Sequence, residues 1–210
     1  MEKEYLSLLG EAEAELVEKK SKFIARCAPV EGEAAALAFI ASVKACHKTA
    51  THNVWAYVLR ENNLTRYTDD GEPQGTSGLP VLDCLRGRLL TDAAVVVTRY
   101  FGGTLLGKGG LVRAYSSAAA LAIERAGTAL VTPSVSLLLK CPYGDYEKLL
   151  RLLERFGAAV ESEFQEEVAL SALIKEAELE PLKAELRELT GGRISAQEVS
   201  RGFQRLPCKP

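Results

Sequence analysis

The densest group of residues able to do chemistry is a glycine-rich segment from Arg99 to Arg113. Its five glycines permit positive φ and let backbone amides converge on a ligand. We expect a helix to begin inside it, and a helix N-terminus adds partial positive charge that suits phosphate or carboxylate. The residues predicted to bind an anion or another ligand are Arg99, Gly102, Gly103, Gly107, Lys108, Gly109, Gly110 and Arg113.

Part of this segment, Gly102-x-x-x-x-Gly107-Lys108, matches the front of a P-loop. Position 109 is glycine, however, where a P-loop needs the Ser or Thr that binds Mg²⁺, and no second strand ends in an obvious Walker-B aspartate. The pattern therefore argues against nucleotide hydrolysis. A purely structural alternative is a tight turn in which the glycines let a helix pack closely against a strand.

A second segment, from Thr68 to Pro80, is so rich in turn-forming residues that it predicts a long irregular loop. Its three carboxylates within four residues can bind a hard cation such as Mg²⁺ or Ca²⁺, or serve as acid and base, although the spacing is not that of an EF-hand. The plainer alternative is a solvated turn in which Asp69 or Asp70 caps local amides. The candidate acidic, metal-binding or polar residues are Asp69, Asp70, Glu72, Thr76 and His52.

The histidines do not form a recognisable catalytic or zinc motif. His47 and His52 are five residues apart, which does not place them on one helical face, and there is no His-Glu-x-x-His pattern. Cys46 and His47 are poor candidates for a thiol nucleophile and its base, because adjacent side chains rarely face each other. No serine lies in a Gly-x-Ser-x-Gly elbow, so the sequence assigns no catalytic residue.

Composition narrows the class of protein. The 210 residues are 47% hydrophobic and 26% charged, with no apolar run of the roughly eighteen residues that a membrane span needs, so we expect no membrane association. The N-terminus lacks a signal-peptide pattern, and five scattered cysteines predict reduced thiols, mostly in the core, and a cytoplasmic location. The net charge of −2 means that nucleic-acid binding needs a local basic patch, and no DNA specificity is evident.

The first part of the chain contains aromatic and arginine side chains that suit single-stranded nucleic acid. Most of the aromatic residues should be core, and no RNA-recognition signature is present. The possible stacking groups are Trp55, Tyr57, Tyr67, Tyr100, Phe101 and Tyr115, with Arg60, Arg66, Arg86, Arg88 and Arg99 nearby in sequence.

From Ser134 onward the hydrophobic period switches between strand and helix values. It predicts strands at Val135 to Lys140, Ala158 to Phe164, Glu167 to Ile174 and Arg193 to Val199, and helices at Asp145 to Arg155 and Leu179 to Leu189. The order βαββαβ predicts a ferredoxin-like domain over residues 134–210, with a boundary near Thr132-Pro133.

Residues 1–133 predict a separate α+β domain in which strands and helices alternate less regularly. The predicted strands are Ala14 to Val17, Lys22 to Pro29, Asn53 to Arg60, Thr65 to Thr68 and Ala93 to Tyr100, and the predicted helices are Glu33 to Ala45 and Leu111 to Ala126. The unbroken β-branched run before Tyr100 is typical of a buried central strand.

Three blocks of this first domain closely resemble the IMPACT/YigZ family. They are Ala50-Thr-His-Asn-Val-Trp-Ala-Tyr57, Asp69-Asp-Gly-Glu-Pro-Gln-Gly-Thr-Ser-Gly-Leu-Pro80 and Val97-Thr-Arg-Tyr-Phe-Gly-Gly-Thr-Leu-Leu-Gly-Lys-Gly-Gly-Leu-Val-Arg-Ala-Tyr115. Ser77 stands where the family commonly has Ala. The remaining part is similar to the small C-terminal domain of bacterial members, itself like an elongation factor G domain.

The resemblance implies a left-handed βαβ fold in the first domain, shared with a ribosomal small-subunit protein domain and galactokinase-type kinases. Eukaryotic relatives resemble translational regulators that block activation of the amino-acid-starvation initiation-factor kinase. They carry an additional N-terminal domain that we do not find in this sequence, so that partnership is not expected here. The resemblance supplies no catalytic residue.

Two functions fit these observations. The first is a non-enzymatic binding or regulatory protein of translation or stress response that contacts RNA, the ribosome or a translation factor through the two loops. The alternative is a Mg²⁺-dependent enzyme acting on a phosphorylated small molecule or nucleotide, with Gly102 to Gly110 holding phosphate and Asp69, Asp70 or Glu72 holding Mg²⁺ or moving a proton. An enclosed cleft with free carboxylates near the glycines favours the enzyme, and an open electropositive face favours binding.

Overall fold

The computed structural model describes residues 4–208, and these residues group into two units. The first unit comprises residues 5–130 with 206–208, and the second comprises residue 4 with 131–205. The predicted boundary near Thr132-Pro133 falls inside a continuous strand, Thr128–Cys141.

The first unit is built on an antiparallel sheet that orders its strands β2-β3-β6-β4-β5. The strands of this unit are β1 (Tyr5–Leu8), β2 (Ala12–Glu18), β3 (Ser21–Pro29), β4 (His52–Val58), β5 (Thr65–Thr68) and β6 (Ala93–Tyr100). Its helices are α1 (Glu33–Cys46), α2 (Gly78–Arg86) and α3 (Lys108–Ala126).

Helices cover both faces of this sheet. Helix α1 packs Ala36, Ile40 and Val43 against one face, where Val96 points from the central strand β6. Helices α2 and α3 pack on the other face, which includes Val95 and Val97. Because both of its faces are buried, β6 carries apolar residues at successive positions instead of alternating with polar ones.

The α+β prediction is confirmed, and strands β5 and β6 have the bounds that the sequence pattern predicts. Among the strands and α-helices of this unit, β1 and α2 were not predicted. Helix α2 begins at Gly78, so the prediction that the whole of Thr68 to Pro80 is irregular is wrong at its last residues. The handedness of the crossover from β3 through α1 to β4 stays a prediction.

The second unit has the ferredoxin-like topology that the sequence predicts. Strand β9 lies between β7 and β8 with antiparallel pairing, and β10 pairs with β7. Its elements are β7 (Thr128–Cys141), α4 (Tyr143–Arg155), β8 (Ala159–Phe164), β9 (Val168–Lys175), α5 (Leu179–Thr190) and β10 (Gln197–Pro207). Leu149 and Leu153 of α4 and Leu182 and Leu186 of α5 share one core with the sheet.

None of the helices described in residues 4–208 is long and apolar enough to cross a membrane. All five cysteines are free thiols: Cys27 and Cys141 lie in the two cores, Cys84 packs against the first core, and Cys46 and Cys208 are exposed. Burial raises the pKa of Cys27 to about 12, which keeps that thiol protonated and unreactive.

Candidate functional site

A cleft of about 400 Å³ in the first unit lies between the glycine-rich segment, Arg99 to Arg113, and the segment Thr68 to Pro80, which we call the acidic loop. Both segments contribute to its walls, so they share one site. Its lining residues are Thr51, His52, Glu72, Pro73, Arg99, Phe101, Leu105, Leu106, Gly107, Lys108 and Leu111.

Strand register brings the polar residues of the cleft together. His52 at the start of β4 pairs with Arg99 near the end of the neighbouring strand β6. Thr51 fixes the chain that leaves β6, because its amide donates to the Arg99 carbonyl at 2.8 Å and its hydroxyl accepts from the Phe101 amide at 3.0 Å. The cleft therefore opens where β6 ends and the glycine-rich segment begins.

A buried ion pair lies at the base of the cleft. Arg99 Nη1 donates to Glu72 Oε1 at 2.6 Å, and both side chains are almost fully buried. The hydroxyl of Tyr115, on α3, donates to the same oxygen at 2.8 Å. Burial and the charge of Glu72 raise the pKa of Tyr115 well above its ordinary value, so this hydroxyl stays a donor. Glu72 is thus an internal acceptor that joins β6, the acidic loop and α3.

The rest of the Arg99 guanidinium is only partly satisfied. Nη2 donates to Ser21 Oγ at 3.4 Å, and the guanidinium carbon lies 5.5 Å from the ring centroids of Phe23 and Phe101. Nε is the buried side-chain nitrogen in residues 4–208 that has no hydrogen-bond partner. An unsatisfied buried donor costs about 1–3 kcal/mol.

His52 offers a second polar atom beside this pair. Its Nδ1 lies 2.7 Å from the carbonyl oxygen of Asp70, which can only accept, so Nδ1 carries the proton. Nε2 lies on the other side of the ring, 3.8 Å from Glu72 Oε1. The backbone of the acidic loop therefore fixes which histidine nitrogen is available to a ligand.

Asp69 is occupied in holding the acidic loop together. Its carboxylate accepts from the amides of Gly75 at 2.8 Å, Ser77 at 3.1 Å and Gly78 at 2.8 Å, and from the Ser77 hydroxyl at 2.7 Å. Burial alone would raise the pKa of Asp69, but these hydrogen bonds outweigh it and the pKa lies below its ordinary value. Asp69 braces the loop and caps the start of α2.

Asp70 and Thr76 are also used within the protein. Asp70 Oδ2 accepts from the Asn53 amide at 2.6 Å, and Oδ1 lies 3.6 Å from Lys44 Nζ. The Thr76 hydroxyl donates to the Pro73 carbonyl at 2.6 Å. Of the predicted acidic and polar residues, the cleft brings together only His52 and Glu72. Within residues 4–208, no group of three or more His, Cys, Asp or Glu side chains is placed to hold a metal ion.

The glycines of the other segment serve different purposes. A Cβ on Gly102 would lie 2.0 Å from the backbone of Lys20, so this position needs glycine for close packing. Gly107 has a φ of 71° and leads into α3, where it lines the cleft beside Lys108. Gly103 has a φ of 81° and is exposed. Close packing therefore explains the glycine at position 102, whereas Gly107 lines the cleft.

The remaining predicted residues lie on the first two turns of α3. Gly109 and Gly110 follow Lys108 in the first turn, which carries no acidic residue and no side-chain cap. Arg113 lines an adjoining cleft, and its Nη1 lies 3.7 Å from the position of a Cβ on Gly109. The cationic end of the helix thus extends from the first cleft into the second.

The apolar wall was missed by the sequence reasoning, except for Phe101. Leu105, Leu106 and Leu111 line the cleft, and Leu105 is 83% exposed. Two consecutive leucines inside a glycine-rich loop were a signal for such a wall. Tyr115 and Ser21 were also missed as supports of Glu72 and Arg99, since contacts this distant in sequence leave no local pattern.

Fold and site together define a two-unit α+β protein with a cationic cleft in the first unit and a ferredoxin-like second unit. Residues 19–123 match the family described as Impact N-terminal domain, and residues 139–193 match a domain of unknown function, DUF1949. The chain belongs to the IMPACT family. The first match contains every residue that lines the cleft.

Relatives cover nearly the whole chain. It is 36% identical to the IMPACT family member YvyE of Bacillus subtilis over 199 residues, which is 92% of this chain and 90% of that protein. An IMPACT family member of Haemophilus influenzae is 36% identical over 188 residues, 88% of this chain and 91% of the relative. A crystal structure described as a hypothetical protein is 31% identical with a TM-score of 0.62, covering 95% of this chain and 99% of the other.

Proposed function

We propose that the first unit binds single-stranded RNA through the cleft, and that the protein is a non-enzymatic component of translation or its regulation. The observation that carries this proposal is the pairing, in one cleft, of the exposed ring of Phe101 with the N-terminus of α3 and Lys108. A stacking surface beside a cationic site is what an unpaired nucleotide needs.

The phosphate side of the cleft is the start of α3. A helix of 19 residues directs its first amides and partial positive charge toward the cleft, and Lys108 adds a full charge at the first helical position. No carboxylate stands in this first turn to offset the charge. Lys108 has no ion pair with any residue from 4 to 208, so its ammonium is available to phosphate.

The base side of the cleft is Phe101 with Leu105. Phe101 is 47% exposed although the Arg99 guanidinium supports its ring from 5.5 Å, and Leu105 is 83% exposed beside it. Exposed apolar side chains of this size, next to a helix N-terminus, offer a surface on which a base can stack. Each stacked base contributes about 1–3 kcal/mol to binding, whatever its identity.

The partners of the three loop carboxylates favour RNA binding over the alternative of a Mg²⁺-dependent enzyme. Asp69 is held by backbone amides, Asp70 lies near Lys44 and the Asn53 amide, and Glu72 is paired with Arg99. Each carboxylate therefore has a partner inside the protein. Binding RNA requires none of them to change that partner.

The test is the affinity of the full chain for a fluorescent oligouridylate of roughly twelve nucleotides, a length within the usual range of single-strand sites. We expect Phe101→Ala to weaken binding about tenfold through lost stacking, and Lys108→Ala to weaken it several-fold through a lost phosphate contact. Tyr67→Ala is the matched control, because Tyr67 is an aromatic residue with almost the same exposure, 46%, and does not line the cleft.

Binding that falls in the Phe101 and Lys108 variants and stays in the Tyr67 variant supports the proposal. Absence of salt-dependent binding by the unaltered protein overturns it. So does binding that all three variants retain, since the RNA would then lie elsewhere. Association with a translation factor in the absence of RNA binding would replace RNA by a protein partner.

A further inference from the structure

We infer that a second phosphate site adjoins the first, so that the RNA chain crosses the N-terminus of α3 from one cleft to the next. This inference rests on the proposed function and adds to it the path and minimum length of the ligand. The observation behind it is a neighbouring cleft of about 250 Å³ that shares Leu106 with the first one.

This second cleft presents donors suited to phosphate. Lys19 and Arg113 supply two cations to its lining, and Ser117 supplies an exposed hydroxyl. One carboxylate, Glu18, also lines it, so it offsets one of the two positive charges and leaves the other. Neither Lys19 nor Arg113 has an ion pair within residues 4–208.

Leu106 lines both clefts, and Arg113 of the second cleft lies close to the first turn of α3. Positions 109 and 113 are four residues apart on α3 and therefore lie on the same helical face. Arg113 Nη1 lies 3.7 Å from the Cβ position of Gly109, so its guanidinium covers the first turn of the helix. A Cβ at position 109 would be in ordinary van der Waals contact with that guanidinium.

Lys19 is held at the cleft by a constrained hairpin. Glu18 pairs with Ser21, so Lys19 and Lys20 form a two-residue turn between β2 and β3. Both lysines have positive φ, 45° and 67°, a conformation for which Asn-Gly is the favoured sequence. Lysine is not a favoured residue at these φ values. The contribution of the turn to the cleft is therefore the positive charge of Lys19.

Both clefts lie along one cationic line, from Lys108 over the first turn of α3 to Arg113 and Lys19. A mononucleotide occupies one cleft and engages one part of this line. A dinucleotide spans Leu106 and engages both, so affinity should rise at the step from one nucleotide to two. This expected step separates a continuous RNA path from a site for a single small anion.

The experiment measures competition by uridine 5′-monophosphate and by its di- and trinucleotides against the labelled oligouridylate, with the full chain. We expect the unaltered protein to bind the dinucleotide about tenfold more tightly than the mononucleotide. In Lys19→Asn with Arg113→Ala this ratio should fall to about one. Asn tolerates positive φ, so the turn is kept while the charge is removed. Arg86→Ala, which removes an exposed arginine of the same unit, should keep the ratio.

The outcomes separate this inference from the proposed function. A ratio that collapses in the double variant and survives in the Arg86 variant supports the second site. A ratio near one in the unaltered protein, or one that the double variant retains, overturns the second site while long RNA still binds. If the long oligouridylate does not bind at all, the proposed function and this inference both fall.

Discussion

Arg99 and Glu72 form a buried ion pair, with Arg99 Nη1 2.6 Å from Glu72 Oε1, across 27 positions of sequence. The pair fastens the acidic loop to the end of β6, and Tyr115 fastens both to α3. The cleft therefore has a rigid polar base under a more exposed apolar and cationic rim. Stability and ligand binding should depend on different residues of the same site.

Glu72→Gln should lower the free energy of unfolding by about 3–5 kcal/mol, because it leaves the Arg99 guanidinium buried without a counter-charge. Adding Arg99→Met should restore part of the loss, since no uncompensated charge then remains. Urea unfolding followed by the fluorescence of Trp55, the single tryptophan, reports on the first unit.

The matched control for this prediction is Glu15→Gln. Glu15 pairs with Lys22 at the surface, where the two side chains are 50% and 44% exposed, so the loss should stay below about 1 kcal/mol. Equal losses in the Glu72 and Glu15 variants would contradict a buried pair at the base of the cleft.

Asp69→Asn should destabilise the protein by about 2 kcal/mol near neutral pH, because the amide cannot accept all the hydrogen bonds that the carboxylate receives. The pKa of Asp69 is lower in the folded protein than its ordinary value of 3.8. Its ionisation therefore contributes stability above that value, and the contribution is lost as the pH falls below it.

The difference in unfolding free energy between the unaltered protein and the Asp69 variant should accordingly be constant from pH 7 to about pH 5 and shrink below about pH 4. Urea titrations at several pH values measure it. A difference that grows on acidification would mean that the carboxylate is not held as an ionised acceptor.

The fold was predictable where burial gives a regular period. The two-sided burial of β6 produces its unbroken apolar run, and the one-sided burial of α4 and α5 produces their leucine spacing. Helix α2 was missed because it is short, begins with Gly-Leu-Pro and depends on Asp69 to hold its first amide. Such a start depends on tertiary contact, which leaves no periodic pattern.

The two segments of the site were predictable from their glycines and carboxylates, but the roles of individual residues were not. Asp69, Asp70 and Glu72 are equivalent in sequence terms, yet the fold of the loop directs the first two to backbone amides and the third to Arg99. Similarly, position 102 needs glycine because the backbone of Lys20, in the turn between β2 and β3, lies too close for a side chain. These assignments depend on long-range packing.

Gly102→Ala should destabilise the first unit by about 1–3 kcal/mol, because the new Cβ would overlap the backbone between Lys20 and Ser21 and one chain must move. Gly10→Ala is the control, since a Cβ there meets no atom within 4 Å and its φ is not in the left-handed region. Thermal unfolding compares the two. A tolerated Gly102→Ala would show that the hairpin can move away from the glycine-rich segment.

The salt dependence of RNA binding should distinguish the two sides of the cleft. Each phosphate contact to single-stranded RNA contributes about 0.7 to the slope of log affinity against log salt concentration. Lys108→Ala should therefore reduce the magnitude of the slope by about 0.7, whereas Phe101→Ala should lower affinity at every salt concentration and leave the slope unchanged. Fluorescence anisotropy titrations between about 50 and 200 mM KCl measure both quantities. If Phe101→Ala changed the slope and Lys108→Ala did not, the phosphate would lie beside Phe101 and the base beside Lys108, which is the reverse of the proposed arrangement.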